Sequence, residues 1–130
     1  MRKMLLFLLL ITPLVALSQK KVELKKRYFG TYKGTVPAYN VDAGDEIIRV
    51  SESLIYITLA KDEISVAVGN NKLYGTYEVM FEAKSYYLLD ANIVGQLATE
   101  RIMVYKRGRK IARDGMYPQP VTELKKYRSK

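Results

Sequence analysis

From Tyr28 to Arg113 the apolar residues recur at every second position in short runs broken by turn residues. A period of two fits a half-buried strand, and no stretch between these runs carries the period of an amphipathic helix. Tyr28, Gly30, Tyr32, Gly34 and Val36 share one face of a first strand that Pro37 ends. A polar loop is expected from Asn40 to Asp45, and Ile48 and Val50 fit a short strand after it. Ile55, Ile57 and Leu59 alternate with Tyr56 and Thr58, and Lys61-Asp62 turns the chain into Ile64, Val66 and Val68. Gly69-Asn70-Asn71 is a hairpin signal, because Gly and Asn tolerate positive φ. Leu73, Gly75, Tyr77, Val79 and Phe81 then form the face of the longest strand, with Glu78 and Glu82 on the wet side. Tyr87, Leu89, Ala91 and Ile93 follow, then Ile102 and Val104, then a last short strand from Lys110 to Arg113 after the turn Arg107-Gly108-Arg109. Turns at this spacing specify an all-β chain: an antiparallel up-and-down meander of about six to eight short strands, closing into a small barrel. Closure removes the edges that otherwise invite aggregation. After Pro118 and Pro120, Val121–Tyr127 is expected to form a short C-terminal helical turn capped by Thr122.

Residues 1–18 read as an address. Arg2 and Lys3 precede an apolar run from Met4 to Leu17, and Ala16 and Ser18 suit the small positions of a signal-peptide cleavage site. The run is shorter than the roughly 20 apolar residues of a spanning helix. Cleavage after Ser18 is therefore expected, leaving an extracytoplasmic chain, periplasmic or secreted, that does not span the membrane. The organisation expected is a signal peptide at 1–18, a basic segment at 19–27, one barrel domain at 28–115 and a basic tail at 116–130.

Composition narrows the chemistry. The 130 residues contain no His, Cys or Trp. A Ser-His-Asp triad, a Cys nucleophile, an imidazole or thiolate metal site, a disulfide scaffold and a lipid-modified cysteine are all excluded. Gly-x-Ser-x-Gly and phosphate-cradling Gly-rich loops are absent. Asp90 has no recognisable carboxylate partner in its apolar strand, and Asn40, Asp42, Asp45 and Glu46 around Gly44 lack the spacing of a calcium loop. No enzyme, no cofactor and no metal are expected.

The charge, net +9, is unevenly placed. Lys20, Lys21, Lys25, Lys26 and Arg27 face only Glu23 at the start, and residues 106–130 hold nine basic and two acidic side chains. Residues 28–105 hold six basic and ten acidic ones. Basic ends attract anionic surfaces, or simply keep a chain solvated. Tyr105 to Lys110 has the aromatic–basic mixture of a nucleic-acid binder. An exported chain does not meet nucleic acid, so none is expected as a partner.

Phe29-Gly30-Thr31-Tyr32-Lys33-Gly34 resembles the Gly-x-Trp opening of lipocalins and related calycin barrels, with Tyr32 where the family has Trp. Leu73-Tyr74-Gly75-Thr76-Tyr77-Glu78-Val79 resembles the central Gly-x-Tyr strand of small lipocalin-like domains in secreted bacterial proteins. The resemblance implies a barrel with an interior pocket for a small apolar or amphipathic molecule. It also implies a late basic residue over the opening aromatic, a part that Arg101 or Arg113 would fill.

Two functions follow. In the first, a binding module holds a small ligand among the inward residues Tyr32, Tyr77, Val79, Phe81, Tyr87 and Leu89. In the second, a filled, non-catalytic barrel docks on an anionic envelope surface or protein partner through Lys106, Arg107, Arg109, Lys110, Arg113, Lys125 and Lys126. Tyr56, Tyr74, Tyr86 and Tyr105 fall on the outer face in either case.

Overall fold

The structure, a computed structural model, describes residues 22–96, 98–114 and 119–127. Residues 1–18, expected as a signal peptide, and the ends of the basic segments lie outside the described residues.

Eight antiparallel strands close into a barrel: β1 (Gly30–Val36), β4 (Ser53–Leu59), β5 (Glu63–Val68), β6 (Asn71–Glu82), β7 (Tyr86–Ile93), β8 (Glu100–Tyr105), β9 (Lys110–Asp114) and β10 (Thr122–Tyr127). Successive strands pair as a meander, and β10 joins β9 to β1. A separate hairpin, β2 (Tyr39–Asp42) with β3 (Ile47–Val50), fills the long connection from β1 to β4. It occupies most of the stretch expected as a polar loop. Asp42 caps its turn by accepting from the Gly44 amide at 3.1 Å.

The alternation read from the sequence is the inside–outside alternation of the wall. Ile55, Ile57, Leu59, Ile64, Val66, Leu89, Ala91, Ile93, Ile102, Val104, Ile111 and Leu124 are all buried in one core. Each such aliphatic side chain beyond alanine is worth about 1.5–3 kcal/mol when removed from water. Two close approaches demand glycine. A side chain at Gly75 would collide with the backbone of Asn92 on β7, and a Cβ at Gly34 would sit 2.7 Å from the Glu123 carbonyl on β10.

The expected helical turn at Val121–Tyr127 is instead the closing strand. Thr122 and Leu124 point inward and are buried, whereas Glu123, Lys125 and Tyr127 point outward, so the segment has a strand's period of two. The basic tail is thus part of the barrel wall from Thr122 to Tyr127. At the other terminus a single 3-10 turn, Lys26–Tyr28, precedes β1. Tyr28 therefore belongs to this turn and not to the first strand.

Candidate functional site: a filled interior, a basic end and a lysine row

Tyr32, Tyr77, Tyr87 and Leu89 do converge inside the barrel. They converge as core. Tyr32 is 1% exposed and its hydroxyl donates to the Tyr28 carbonyl at 2.7 Å. Tyr77, in the second Gly-Thr-Tyr, repeats the device: its hydroxyl donates to the Ala60 carbonyl at 2.6 Å. Tyr87 packs edge-on against Tyr28, with centroids 5.4 Å apart. Burial pushes the Tyr32 phenol up to about 12, with Tyr28 adding to it. Burial likewise raises Tyr77 and Tyr87. Ile55, Ile57, Leu89, Ile102, Val104, Ile111 and Leu124 have no accessible surface at all. Such side chains adjoin no void wide enough for a water molecule. Eight strands give an interior that side chains can just fill or that holds one small ligand, and here these side chains occupy it.

Two of the inward expectations change. Val79 is only partly buried against the core. Phe81 is 45% exposed, because the register slips between Val79, opposite Leu89, and Phe81, opposite Leu88. The extra residue, Met80, makes a bulge that flips every later side chain to the other face. Phe81 therefore packs on the outer wall with Tyr86, centroids 6.0 Å apart.

The basic residues divide into three groups. Arg113 is not on the surface. It is 4% exposed, donates to Glu100 Oε1 from Nε at 2.9 Å and from Nη2, and donates from Nη1 to Gln119 at 3.0 Å. A buried guanidinium demands such a partner, since an uncompensated charge inside a protein costs several kcal/mol. Nor does Arg113, or the exposed Arg101, stand over the opening aromatic. The register partner of Tyr32 is Lys126, whose Nζ donates to the Arg27 carbonyl at 2.9 Å and ties β10 to the 3-10 turn.

The second group rims the end that the 3-10 turn plugs. Arg27, Lys106, Arg109 and Lys126 surround a hollow of about 330 Å³, together with Tyr28, Tyr32, Tyr105 and Gly108. Arg27 donates to the Tyr28 hydroxyl at 2.7 Å and lies over its ring. Lys106 pairs with Glu82 at 2.6 Å, and that hydrogen bond holds the Glu82 carboxyl below its usual range. Arg107 is exposed on the adjoining turn.

The third group is a row that crosses the outer wall. Lys110 faces Lys125 across β9–β10, Lys125 faces Lys33 across β10–β1, and Lys33 faces Tyr56 across β1–β4. Lys33 Nζ stands 5.8 Å from the Tyr56 ring and 5.7 Å from the Tyr127 ring, and Lys110 Nζ stands 5.2 Å from the Tyr105 ring. Lys33 was not among the expected residues. Its signal was the outward position beside Tyr32, unreadable as part of a row until β10 was placed next to β1.

The lysine row places like charges side by side on the outer wall. Like charges directly opposite on neighbouring strands are destabilising, by an amount comparable to the roughly 0.2–1 kcal/mol of a favourable pair. An exposed ring contact returns about 0.5–1 kcal/mol. Lys110 has an ion pair with Glu123, at 3.8 Å. Three ring contacts and one ion pair offset the two repulsive pairs, so the tyrosines and Glu123 hold the three lysines in register.

Among the described residues, no three acidic, His or Cys side chains cluster to hold a metal, and no helix is long and apolar enough to cross a membrane. The closed antiparallel eight-stranded barrel is consistent with a calycin-like architecture. No family model, curated protein or solved structure matches the chain.

Proposed function

We propose that this protein is a non-catalytic docking module of the cell envelope, a filled barrel whose outer wall binds an acidic polysaccharide. The observation that carries the reading is the register of Lys110, Lys125 and Lys33 on three adjacent strands, flanked by Tyr105, Tyr56 and Tyr127. Adjacent strands lie about 5 Å apart, so the row presents three cations along about 10 Å. An extended polymer with repeated anionic groups relieves the repulsion along that row. Tyrosine rings beside it suit sugar rings, which offer an apolar face and hydroxyls at once. The filled interior favours this reading over a carrier of small apolar molecules.

The test is titration of fluorescent dextran sulfate against the protein at low and high salt, with neutral dextran as the control. The expected result is saturable binding to the sulfated polymer alone, weakened strongly by salt because the contacts are exposed charges. The combined variant Lys33→Gln, Lys110→Gln and Lys125→Gln should lose at least about tenfold in affinity while keeping its melting temperature within a few degrees. Equal binding of neutral dextran, or unchanged affinity in the triple variant, would overturn the reading.

A further inference from the structure

We infer that the hollow at the plugged end is a separate site for a phosphomonoester group, and that Arg109 is its principal contact. The proposal goes beyond the lysine row on the outer wall: none of Lys33, Lys110 and Lys125 lines this hollow, and Tyr105 alone borders both.

Three observations converge. First, the chemistry of the lining is one-sided. Arg27, Lys106, Arg109 and Lys126 come from three separate places in the chain and meet at one mouth. The acid at this rim that contacts one of them, Glu82, is already held by Lys106, at 2.6 Å. Closure of the barrel forces the meeting: the β8–β9 turn brings Lys106 and Arg109, the end of β10 brings Lys126, and the 3-10 turn brings Arg27. Second, Arg109 is held in the left-handed region at φ 50, directly after Gly108 at φ 90. That conformation is costly for a residue with a Cβ and costs glycine nothing. A backbone hydrogen bond from the Lys126 amide to the Arg109 carbonyl, 2.8 Å long, fixes the turn. Third, the Arg109 guanidinium makes no hydrogen bond or ion pair with the described residues, whereas Arg113 is fully engaged. An exposed arginine held at a strained position, with no hydrogen bond or ion pair to the described residues, points to a ligand.

The shape sets the class. A volume of about 330 Å³ is near the lower end for ligand sites and admits a small molecule or one head group. A guanidinium presents a planar fork that matches two phosphate oxygens at once. Ammonium groups at Lys106 and Lys126 add charge without directional demand. The Tyr28 hydroxyl accepts from Arg27, so its own proton remains to donate. A doubly charged, three-oxygen terminal group uses all of these, and a diester or a carboxylate uses fewer.

The experiment is calorimetric titration of the full mature chain with glycerol 3-phosphate, glycerol serving as the control. Cosedimentation with phosphatidylcholine vesicles, with and without phosphatidic acid, forms a second arm. Arg109→Gly is the decisive variant, because it removes the guanidinium and relieves the backbone. Its melting temperature should rise while binding falls at least tenfold. Arg109→Gln, which keeps the strain, should lose binding to the same extent. The triple lysine variant of the outer wall should bind as the natural chain does. Binding of glycerol 3-phosphate that both Arg109 variants abolish assigns a soluble ligand. Binding of the phosphatidic acid vesicles alone, lost in the same variants, assigns the same group on a lipid. Binding in neither arm, or binding that survives both Arg109 substitutions, overturns the proposal.

Discussion

At the end that carries the 3-10 turn, the barrel is closed by rings and its cations stay at the rim; at the opposite end an arginine and a glutamate go inside. Tyr28, Tyr32 and Tyr87 fill the first end, with Tyr32 hydrogen-bonded to the Tyr28 carbonyl and Lys126 strapping the turn from outside. The other end holds Arg113 against Glu100 and Gln119. Glu100 Oε2 and Gln96 Oε1 are buried there without a hydrogen-bond partner among the described residues. The same residue type thus does unlike work at the two ends. Arg113 is spent on the fold, and Arg109 stays exposed at the rim. Basic charge in a sequence therefore says little until burial has sorted it.

The largest effect tests what both ends share. A chain ended at Asp114 loses β10, and with it Leu124 from the core, the ladder to both β9 and β1, and the Lys126 strap. The expected outcome is loss of the cooperative urea transition followed by circular dichroism. A freely dispensable tail would leave that transition in place.

Next in size is the ion-paired end. Glu100→Ala leaves Arg113 buried without its carboxylate, which costs about 3–5 kcal/mol. Replacing both residues, Glu100→Met with Arg113→Met, should recover most of that loss in the same urea titration, because an apolar pair needs no compensation. If the double replacement is as damaging as the single one, the pair does more than balance charge.

The ring-closed end gives the smallest effect and a pH signature. Tyr32→Phe removes the hydrogen bond to the Tyr28 carbonyl and should cost about 1 kcal/mol. Burial favours the neutral phenol, so Tyr32 in the folded chain holds its proton up to about 12, against 10.0 for a free phenol. The folded state binds more protons than the unfolded state across that interval, and stability must fall as pH rises from about 10 to 12. Below pH 10 the contribution is fully present. Melting temperatures recorded across this range should drop less steeply for Tyr32→Phe than for the natural chain.

Much of the fold was legible because one face of each strand is buried. Ile55-Ile57-Leu59 and Tyr87-Leu89-Ala91-Ile93 state their own register, and the turns at Lys61-Asp62 and Gly69-Asn70 mark the connections. The closing strand was harder. Thr122-Glu123-Leu124-Lys125-Lys126-Tyr127 alternates, but only Leu124 is a strong apolar marker, and the prolines before it mimic the entry to a helix. Ile48 and Val50 announced β3, but β2 was masked by the polar residues from Asn40 to Asp45. Phe81 was misplaced because a bulge at Met80 is invisible to a strict period of two. The candidate site was the least legible part. A row of lysines from three strands, and a rim drawn from the 3-10 turn, β10 and the β8–β9 turn, exist only after the barrel closes.

On the proposed reading the interior is structure and binding happens outside. The most direct test is chemical-shift mapping of backbone amides and methyl groups during titration with dodecanoate, which carries both an apolar chain and an anionic head. The account predicts shifts confined to the basic exterior, at residues such as Lys33, Lys110 and Arg109, with the methyls of Ile57, Leu89 and Ile102 unmoved. Saturable shifts of those inner methyls would show that the barrel opens to a lipid chain, and would contradict it.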